Sequence, residues 1–220
     1  NKVKLVKDDI RWFNPKILDD VDIVMDLAAL SNDPVGDLDP TKTYEINHLG
    51  RARVAKLSKE SGVKRYILAS SASIYGQQKE IVDENAPIKP LTAYSKANRK
   101  AEEDILPLND DNFTVTALRF SSVYGVSPRM RFDTAVNVMV LDLFNKGKIT
   151  VRGQGNKRPF VHISDVARAY EIVIKASKEK IACQIFNVGS DEQNYEIGQL
   201  AKEITNGVGQ ECQLELKDSP

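Results

Sequence analysis

The sequence contains little cysteine and little histidine, the residues that build disulfide frameworks and zinc centres. Cys183 and Cys212 are the only cysteines, and His48 and His162 are the only histidines. One distant pair of cysteines does not make a disulfide-stapled fold, and so few nitrogen and sulfur ligands argue against a zinc cluster. We therefore expect no metal site, and we assign His162 to packing.

The sequence also has no excess of charge of either sign and no long hydrophobic run. It carries 31 Lys and Arg against 31 Asp and Glu, so no overall field would attract nucleic acid or an anionic membrane. Its apolar runs are shorter than the roughly 18 residues of a membrane span, and its first residues lack the apolar core of a secretion signal. We expect a cytoplasmic protein that binds neither nucleic acid nor membrane.

What the sequence does contain is an alternation of buried strands and amphipathic helices. Three short runs are apolar without alternation and rich in β-branched residues: residues 21–30, 64–71 and 113–122. Such runs are typical of strands buried on both faces of a parallel sheet. Between them, helical patterns run from Ile46 to Leu57, stopped by Gly62, and over 94–106. This order predicts βαβ units and an α/β fold.

Beyond Gly125 the pattern is less regular and predicts a second, smaller lobe. We expect helices over about 133–146, after Asp165 and over 196–204, strands at 149–153, 184–190 and 212–216, and a loop over 153–162. Ser164 and Asp165 are expected to cap the helix that follows them. We divide the chain into a first domain, 1–125, and a lobe, 126–220, which is interleaved with the strand at about 184–190.

All three predicted strands of the first domain end in small residues. These are Ala28 and Ala29, Ser70 and Ser71, and Ser121 and Ser122. In open α/β sheets ligands lie along the carboxyl edge of the strands, where the backbone must come close to a flat molecule. Small residues at one strand end would also suit a tight turn, but their presence at three strand ends favours a binding site.

A tyrosine near a strand-end serine is the first sign of chemistry. Tyr94 begins a predicted helix, 23 residues after Ser71. A tyrosine placed beside a serine can act as acid or base toward a carbinol, because the serine hydroxyl passes or holds the proton. The spacing alone is a weak signal.

Seven stretches in a fixed order give a stronger signal. They are DIRW (9–12), DLAAL (26–30), TYEINHLG (43–50), LASSASIYG (68–76), AYSK (93–96), ALRFSSVYG (117–125) and RPFVHISDVARA (158–169). Together they resemble the extended short-chain dehydrogenase/reductase family, the NAD-dependent epimerases and dehydratases of nucleotide sugars. The resemblance covers nearly the whole chain. It implies a Rossmann-like doubly wound parallel sheet, the first domain being its dinucleotide-binding part, and a small C-terminal substrate-binding lobe.

The resemblance also implies a set of site residues, a cofactor and partners. The implied catalytic residues are Ser71, Tyr94 and Asn98. The implied cofactor-binding residues are Asp9, Ile10, Leu27, Ala28, Ala29, Asn47, Ser70, Tyr94 and Asn98. The implied substrate-binding residues are Ser122, Arg131 and Arg158, with Arg129 a weaker candidate. The implied cofactor is NAD or NADP, the substrate is a nucleotide-diphosphate sugar, and the implied assembly is a homodimer formed through helices 40–61 and 93–106.

The sequence departs from the family pattern in two places. The glycine-rich turn that cradles the cofactor pyrophosphate, with its βα unit, is expected to lie outside this chain, which leaves NAD or NADP open. The family lysine, four residues after the tyrosine, is replaced by Asn98. At about 100° per residue Asn98 shares a face with Tyr94, while Lys96 and Lys100 point elsewhere. A slip of the helix start or a lysine from another element would restore the missing charge.

The residues after Ser71 bear on the type of reaction. The dehydratase branch carries an acidic pair there, and this sequence has Ala72 and Ser73, so no carboxylic acid is placed to protonate a leaving hydroxyl. The pattern favours an NAD(P)-dependent nucleotide-sugar epimerase that acts through a transient keto sugar. Open alternatives are a nucleotide-sugar reductase or dehydratase of the same family, a catalytically silent dinucleotide- or nucleotide-sugar-binding protein, and a subunit whose main role is dimerisation.

Overall fold

A computed structural model of the protein describes residues 3–78, 80–209 and 213–217. The chain forms two compact units. Unit 1 contains the residues up to Arg119 together with Val173–Asn187. Unit 2 contains Phe120–Ile172 together with the residues from Val188 onward.

Nine strands and eight α-helices make up the described part of the chain. The strands are β1 (Ile23–Asp26), β2 (Arg65–Ser71), β3 (Thr114–Phe120), β4 (Ser122–Tyr124), β5 (Lys148–Arg152), β6 (Lys157–His162), β7 (Gln184–Val188), β8 (Asn194–Glu196) and β9 (Gln213–Lys217). The helices are α1 (Asp33–Leu38), α2 (Pro40–Tyr44), α3 (Arg51–Glu60), α4 (Ala93–Ile105), α5 (Ala135–Lys146), α6 (Ile163–Lys175), α7 (Lys178–Ile181) and α8 (Ile197–Val208). A π-helical turn, Glu45–Gly50, joins α2 to α3, and 3₁₀ turns lie at Pro15–Leu18, Ala72–Tyr75, Leu106–Leu108 and Asp191–Gln193.

The sheet of unit 1 has four strands in the order β1-β2-β3-β7. β1 and β2 are parallel, with Ile23 opposite Arg65 and Asp26 opposite Leu68. β3 is buried along nearly its whole length, as its continuous, β-branched-rich sequence predicts. The unit 1 core lies between this sheet and helices α3 and α4, where side chains such as Tyr66, Leu68 and Ile105 pack together.

Local sequence signals fix the helix ends of unit 1. The helix that begins with α2 and continues through the π turn ends at Glu60, and Gly62 follows with φ of 79°. This agrees with the helix end that the sequence predicts at Gly62. α4 begins one residue before Tyr94 because Thr92 and Ser95 form a reciprocal capping box, which satisfies two of the free N–H groups of the first turn.

Helix α1 has no counterpart among the sequence-based predictions. Its segment, NDPVGDL, contains Pro34 and Gly36, the residue types that are least favourable inside a helix. The Asn32 side chain caps the helix by accepting from Val35 N at 2.8 Å, and Pro34 lies in the first turn, where a missing N–H costs no hydrogen bond. The helix therefore forms from residues that usually break one.

Unit 2 contains two small sheets and its own core. β4 pairs with β6 in parallel and β6 pairs with β8 antiparallel, while β5 and β9 form a parallel pair. The core of this unit joins α5, α8 and these strands; it includes Met139, Leu143, Ile149, Val151, Phe160 and Leu200. Among the described residues, no helix is both long enough and apolar enough to cross a membrane.

Several boundaries differ from the sequence-based prediction, among them the first strand, which spans only Ile23–Asp26 of the predicted 21–30. Residues 157–162 form strand β6 and not a loop, because β4 and β8 supply pairing partners that its polar sequence does not reveal. The third strand ends at Phe120, and Ser122 begins the separate strand β4. Helix α6 begins at Ile163, so Asp165 lies in its first turn and does not cap it; an acidic side chain there favours the helix through the macrodipole.

Candidate active site

The start of helix α4 places Tyr94 in a tightly fixed first turn. Thr92 Oγ1 accepts a hydrogen bond from Ser95 N at 3.1 Å, and Ser95 Oγ accepts from Thr92 N at 3.0 Å. The Tyr94 side chain is half-buried. Because the cap closes the first turn, the backbone that carries this side chain has little freedom.

Two side chains of helix α1 also stabilise this first turn. Thr92 Oγ1 donates to Asp33 Oδ1 at 2.5 Å, and Ala93 N donates to Asp37 Oδ1 at 2.9 Å. Gly36 lies so close that an added Cβ would come within 2.9 Å of Tyr94 Cβ. The absence of a side chain at Gly36 is therefore what allows the two helices to meet at the tyrosine.

Ser71 ends β2, and its side chain starts the turn that follows. Ser71 Oγ accepts from Ser73 N at 3.2 Å and so caps the 3₁₀ turn Ala72–Tyr75. Helix α4 packs against both β2 and this turn, which brings together the elements that carry Ser71 and Tyr94. Ser73 Oγ is buried and has no hydrogen-bond partner in the part of the chain that the structure describes.

The segment after β1 carries the predicted cofactor-binding residues Leu27, Ala28 and Ala29. Leu27 is exposed, with 61% of its surface accessible, and the two alanines are half-buried. The fully buried Asn47 fixes this segment: its Oδ1 accepts from Leu30 N at 2.8 Å and its Nδ2 donates to Leu30 O at 2.9 Å. Asn47 thus fixes the backbone conformation of the segment through Leu30. Its direct contact with a cofactor stays a prediction.

The first predicted pair, Asp9 and Ile10, lies in a turn against the π-helical segment. The Asp9 carboxylate accepts from Arg11 N at 2.9 Å and from Arg11 Nη2 at 2.8 Å. Hydrogen bonds from the Arg11 side chain, and then from its backbone, lower the pKa of Asp9 to about 2. Ile10 packs on Gly50, where an added Cβ would meet its side chain at 3.0 Å.

A buried arginine that the sequence analysis did not identify lies beside Asn98. Arg51 is fully buried; its Nε donates to Asp26 Oδ2 at 3.1 Å and its Nη1 donates to Asn98 Oδ1 at 2.9 Å. Its Nη2 donates to two backbone carbonyls, those of Asp26 at 3.2 Å and Ala69 at 2.5 Å. The Asn98 Nδ2 group donates to Tyr94 O at 2.9 Å. The guanidinium therefore joins the ends of β1 and β2 to the first turns of α4.

Helical spacing could have revealed Arg51. It follows Asn47 by four residues and precedes Val54 and Ser58 by three and seven, and all four are buried on one face. A charged residue at this position of an otherwise buried stripe needs a buried partner. The sequence does not show which residue that partner is, because Asp26 and Asn98 come from distant parts of the chain.

The ion pair of Arg51 with Asp26 alters the acidity of its surroundings. Burial alone would lower the pKa of Arg51, but the charge of Asp26 and the hydrogen bond to its carboxylate raise it above the ordinary value. Burial and the nearby Asp26 raise the pKa of Tyr66 well above 10, and the Tyr66 hydroxyl donates to Asp26 Oδ2 at 2.5 Å. Arg51 is therefore charged and Tyr66 neutral in the working range of pH.

A second buried network engages Ser70, another predicted cofactor-binding residue. Ser70 Oγ donates to Glu102 Oε1 at 2.6 Å, and Arg119 donates to both Glu102 oxygens at 2.8 and 2.9 Å. Arg119 Nη1 also reaches Tyr75 OH at 2.7 Å. This network fastens the middle of α4 to the ends of β2 and β3. A role for Ser70 toward a cofactor stays a prediction.

The two lysines near Tyr94 lie where helical geometry predicted. Lys96 and Lys100 are exposed on α4, whereas Asn98 has only 1% of its surface accessible. Neither lysine shares the buried face on which Asn98 meets Arg51. The structure thus confirms that both lysines point away from the face of α4 that carries Asn98.

The predicted substrate-binding residues all belong to unit 2. Ser122 begins β4 and is half-buried, opposite Phe160 of β6. Arg158 is exposed on β6, opposite Tyr195, and Arg131 forms an ion pair with Asp133 at 2.6 Å. Their contacts with a substrate stay a prediction.

His162 has a packing role in the same unit. Its ring lies edge to face with Tyr124 at 5.3 Å between centroids, and its Nδ1 lies 2.7 Å from Ser164 Oγ. Gly125, with φ of 117°, leaves room for the imidazole, since an added Cβ would meet His162 Nε2 at 2.5 Å.

Comparison with known proteins settles the family. Residues 8–189 match the family model described as the NAD dependent epimerase/dehydratase family. The chain belongs to this family. The match confirms the predicted relationship and, with it, the expected NAD-dependent class of enzyme.

Individual members of the epimerase/dehydratase family resemble the chain over most of its length. It is 28% identical to a UDP-glucose 4-epimerase of Lactobacillus helveticus, over 93% of the chain and 69% of the relative. It is also 28% identical to a human dTDP-D-glucose 4,6-dehydratase, over 84% of the chain and 52% of that protein.

Solved structures confirm the fold expected of an epimerase/dehydratase. The structure of MoeE5 in complex with UDP-glucose and NAD aligns with a TM-score of 0.87 at 23% identity, covering 97% of this chain and 72% of that one. With the parallel strand pairing of unit 1, this likeness confirms the Rossmann-like α/β architecture.

Proposed function

We propose that the protein is an NAD-dependent nucleotide-sugar epimerase that acts through a transient keto sugar. The observation that carries this proposal is the placing of Tyr94 in the capped first turn of α4, packed against the strand end that carries Ser71. Family membership supports an NAD-dependent reaction, and relatives named as nucleotide-sugar enzymes support the substrate class.

The residues of unit 1 fit a dinucleotide along the carboxyl edge of the sheet. The exposed side chain of Leu27 and the small side chains of Ala28 and Ala29 offer an apolar surface to a flat ring, and Asn47 keeps this segment in place. Ser73 Oγ, buried and without a hydrogen-bond partner among the described residues, lies next to Ser71 and supports a polar ligand at the same edge.

The proposed chemistry is a reversible oxidation of one sugar carbon. Tyr94 takes the proton of the sugar hydroxyl, and the Ser71 hydroxyl holds the sugar oxygen by a hydrogen bond. When bound, NAD would supply the hydride acceptor for this carbon and the hydride for the return step. The sugar is thereby oxidised to a ketone; if it rotates before the hydride returns to its other face, Tyr94 gives the proton back and the epimer forms.

The turn after Ser71 favours epimerisation over loss of water. Ala72 and Ser73 occupy the positions where the dehydratase branch would carry its acids, and neither side chain is acidic enough to protonate a leaving hydroxide. The second candidate is a nucleotide-sugar dehydratase or reductase of the same family. It would require an acid from outside this turn, or a keto sugar as the starting substrate.

Product analysis with a panel of sugars tests the proposal. The protein with NAD is mixed with UDP-, GDP-, CDP- and dTDP-sugars, and the products are separated by chromatography and identified by NMR. We expect an epimer from one of them and a loss of 10²–10⁴-fold in Tyr94→Phe, with little change in the control Tyr44→Phe. NAD binding without turnover of any sugar would instead support a silent binding protein, and a 4-keto-6-deoxy product would support a dehydratase.

We further propose that the protein is a cytoplasmic homodimer whose subunits meet through the helices around residues 40–61 and 93–106. The exposed Leu49 side chain, 57% accessible in the π turn, supports an apolar contact on this surface. Sedimentation equilibrium should give twice the monomer mass. Leu49→Glu should shift the population toward monomer, and the exposed Leu38→Glu, outside the two helical stretches, serves as the control.

A further inference from the structure

Arg51 is an unusual residue for the middle of a sheet-covering helix. Its side chain is 1% accessible and that of its partner Asp26 is 2% accessible. Burying such a pair is seldom a gain in stability over apolar side chains of the same size. Its position therefore invites a functional explanation in addition to a structural one.

The hydrogen bonds of the guanidinium give the ion pair a direction. Nε faces the carboxylate of Asp26, whereas Nη1 faces Asn98, one helical turn after Tyr94. The negative end of the pair is thus on β1, and the positive end points toward the first turns of α4. Asn98 stands where the family lysine is expected and donates to Tyr94 O at 2.9 Å, so the guanidinium brings its charge to the place of the missing lysine.

The carboxylates of α1 act against an anionic tyrosine. Asp33 and Asp37 of α1 bond to Thr92 and Ala93, while Tyr66 of β2 bonds to Asp26. Lys96 and Lys100 are exposed on α4. Against the two carboxylates stand the N-terminal end of the α4 dipole and the Arg51 cation.

We propose that Arg51 is a positioning residue for the reaction at Tyr94. Its guanidinium, held between Asp26 and Asn98, supplies from α3 the positive charge that favours the anionic form of the Tyr94 hydroxyl. It also fixes the Asn98 side chain through one hydrogen bond. The inference rests on the proposed function, in which Tyr94 takes the sugar proton. Since Asp26 neutralises much of the charge at a distance, Arg51 acts as the near end of a dipole and more weakly than an unpaired cation.

The central test removes the ion pair as a whole, because removing only one partner would leave a buried charge. We compare the wild type with the double variant Asp26→Asn/Arg51→Met in the pH profile of kcat/KM. We expect the acid limb of the double variant to move about one pH unit upward, with kcat/KM about tenfold lower at pH 7. Adding Asn98→Lys to the double variant should return the limb toward the wild-type position.

Shifts of the acid limb in opposite directions would distinguish an electrostatic role of Arg51 from a structural one. Asp26→Asn alone leaves the Arg51 charge uncompensated, so the acid limb should move to lower pH even if the variant is less stable. Mere loosening of the network would not move the limb in opposite directions in the two variants. Arg53→Met removes an arginine from the same helix that contacts Phe13, and it should leave the limb in place.

A titration without substrate keeps this inference separate from the proposed function. The Tyr94 ring, labelled with ¹³C and assigned with Tyr94→Phe, is followed by NMR across the same pH range. If no sugar is turned over but the ionisation midpoint moves upward in the double variant, the proposed function fails and the role of Arg51 stands. If the midpoint and the acid limb are the same in the wild type and the double variant, Arg51 is structural only. Should the double variant not fold, the direction of the shift in Asp26→Asn decides.

Discussion

Gly36 is the residue at which a single added atom would reach the proposed acid–base group. Its missing Cβ would lie 2.9 Å from Tyr94 Cβ and 3.3 Å from Tyr94 N. A Cβ belongs to the fixed base of a side chain, so the tyrosine cannot avoid the contact by changing rotamer. The backbone of α1 or of α4 would have to shift instead.

We predict that Gly36→Ala lowers kcat/KM by about 10²-fold. The backbone shift that relieves the contact would misalign Tyr94 as a proton-transfer group. Its effect on stability should be smaller, since alanine favours the helix by about 1 kcal/mol over glycine and offsets part of the strain. The assay is epimer formation together with thermal unfolding. Gly207→Ala, at a helical glycine with open space around it, is the matched control; equal activities of the two variants would contradict the prediction.

Asn47 is the residue on which the shape of the segment after β1 depends. Its amide satisfies both the N–H and the carbonyl of Leu30. We predict that Asn47→Asp, which loses the donor, reduces the free energy of unfolding by about 1–3 kcal/mol and raises the KM for NAD more than it lowers kcat. Urea unfolding and NAD titration measure the two effects. The exposed Asn85→Asp should change neither, and an unchanged NAD affinity in Asn47→Asp would disprove the link to the cofactor.

At the scale of elements, helix α4 is fastened to the sheet by the pair of Glu102 and Arg119. The two side chains are 0% and 1% accessible and their charged groups are 2.8 Å apart. Burial would lower the pKa of Arg119, but the bonds and the charge of Glu102 raise it above its ordinary value. Arg119 thus remains charged inside the unit.

We predict that Glu102→Gln reduces the free energy of unfolding by about 3–5 kcal/mol, because it leaves Arg119 as an uncompensated buried charge. Glu103→Gln removes the neighbouring glutamate, whose bond to Arg99 lies on the surface, and should cost about 0.5 kcal/mol or less. Urea denaturation of both variants gives the comparison. Similar losses in the two variants would show that the interior pair does not hold α4.

The elements also show which parts of this structure can be predicted from the sequence. β2 and α4 are readable because an apolar run and an amphipathic pattern determine them locally. α1 and β6 are not, since Pro34 and Gly36 are accepted only beside a capping Asn32, and β6 exists only through its pairing with β4 and β8.

The same distinction applies to the site. The motifs identify Ser71 and Tyr94 one by one, but the partners of Arg51 come from β1, the end of β2 and α4. Such a contact depends on the packing of three elements and leaves no short-range pattern in the chain. The absent lysine could be noticed from the sequence, while the buried arginine beside Asn98 could be found only in the structure.

At the scale of the whole molecule, two surface carboxylates make the free energy of unfolding depend on pH. Bonds from the Lys59 side chain, and then from the backbone of Asn112, lower the pKa of Asp110 from 3.8 to about 2. Arg11 does the same for Asp9. Both groups are more acidic in the folded protein than in the unfolded chain. Their contribution is therefore present above about pH 4 and is lost as the pH falls through about 2.

We predict that Asp110→Asn makes the free energy of unfolding less dependent on pH between about 4 and 2, since one group no longer takes up a proton on unfolding. Urea titrations at several pH values across that window measure the slope. Asp19→Asn, at an exposed carboxylate of the same domain, should retain more of the wild-type slope. A slope in Asp110→Asn equal to that of the wild type would rule out this contribution.

The π-helical turn Glu45–Gly50 makes the orientation of helix α3 depend on the number of residues before it. A turn with i→i+5 bonds holds an extra residue, and the helix beyond it depends on that residue for its angular phase. One residue fewer would rotate Arg51, Val54 and Ser58 by about 100° out of the interior. The reactive centre is thus sensitive to the number of residues in a turn that touches none of the reacting atoms.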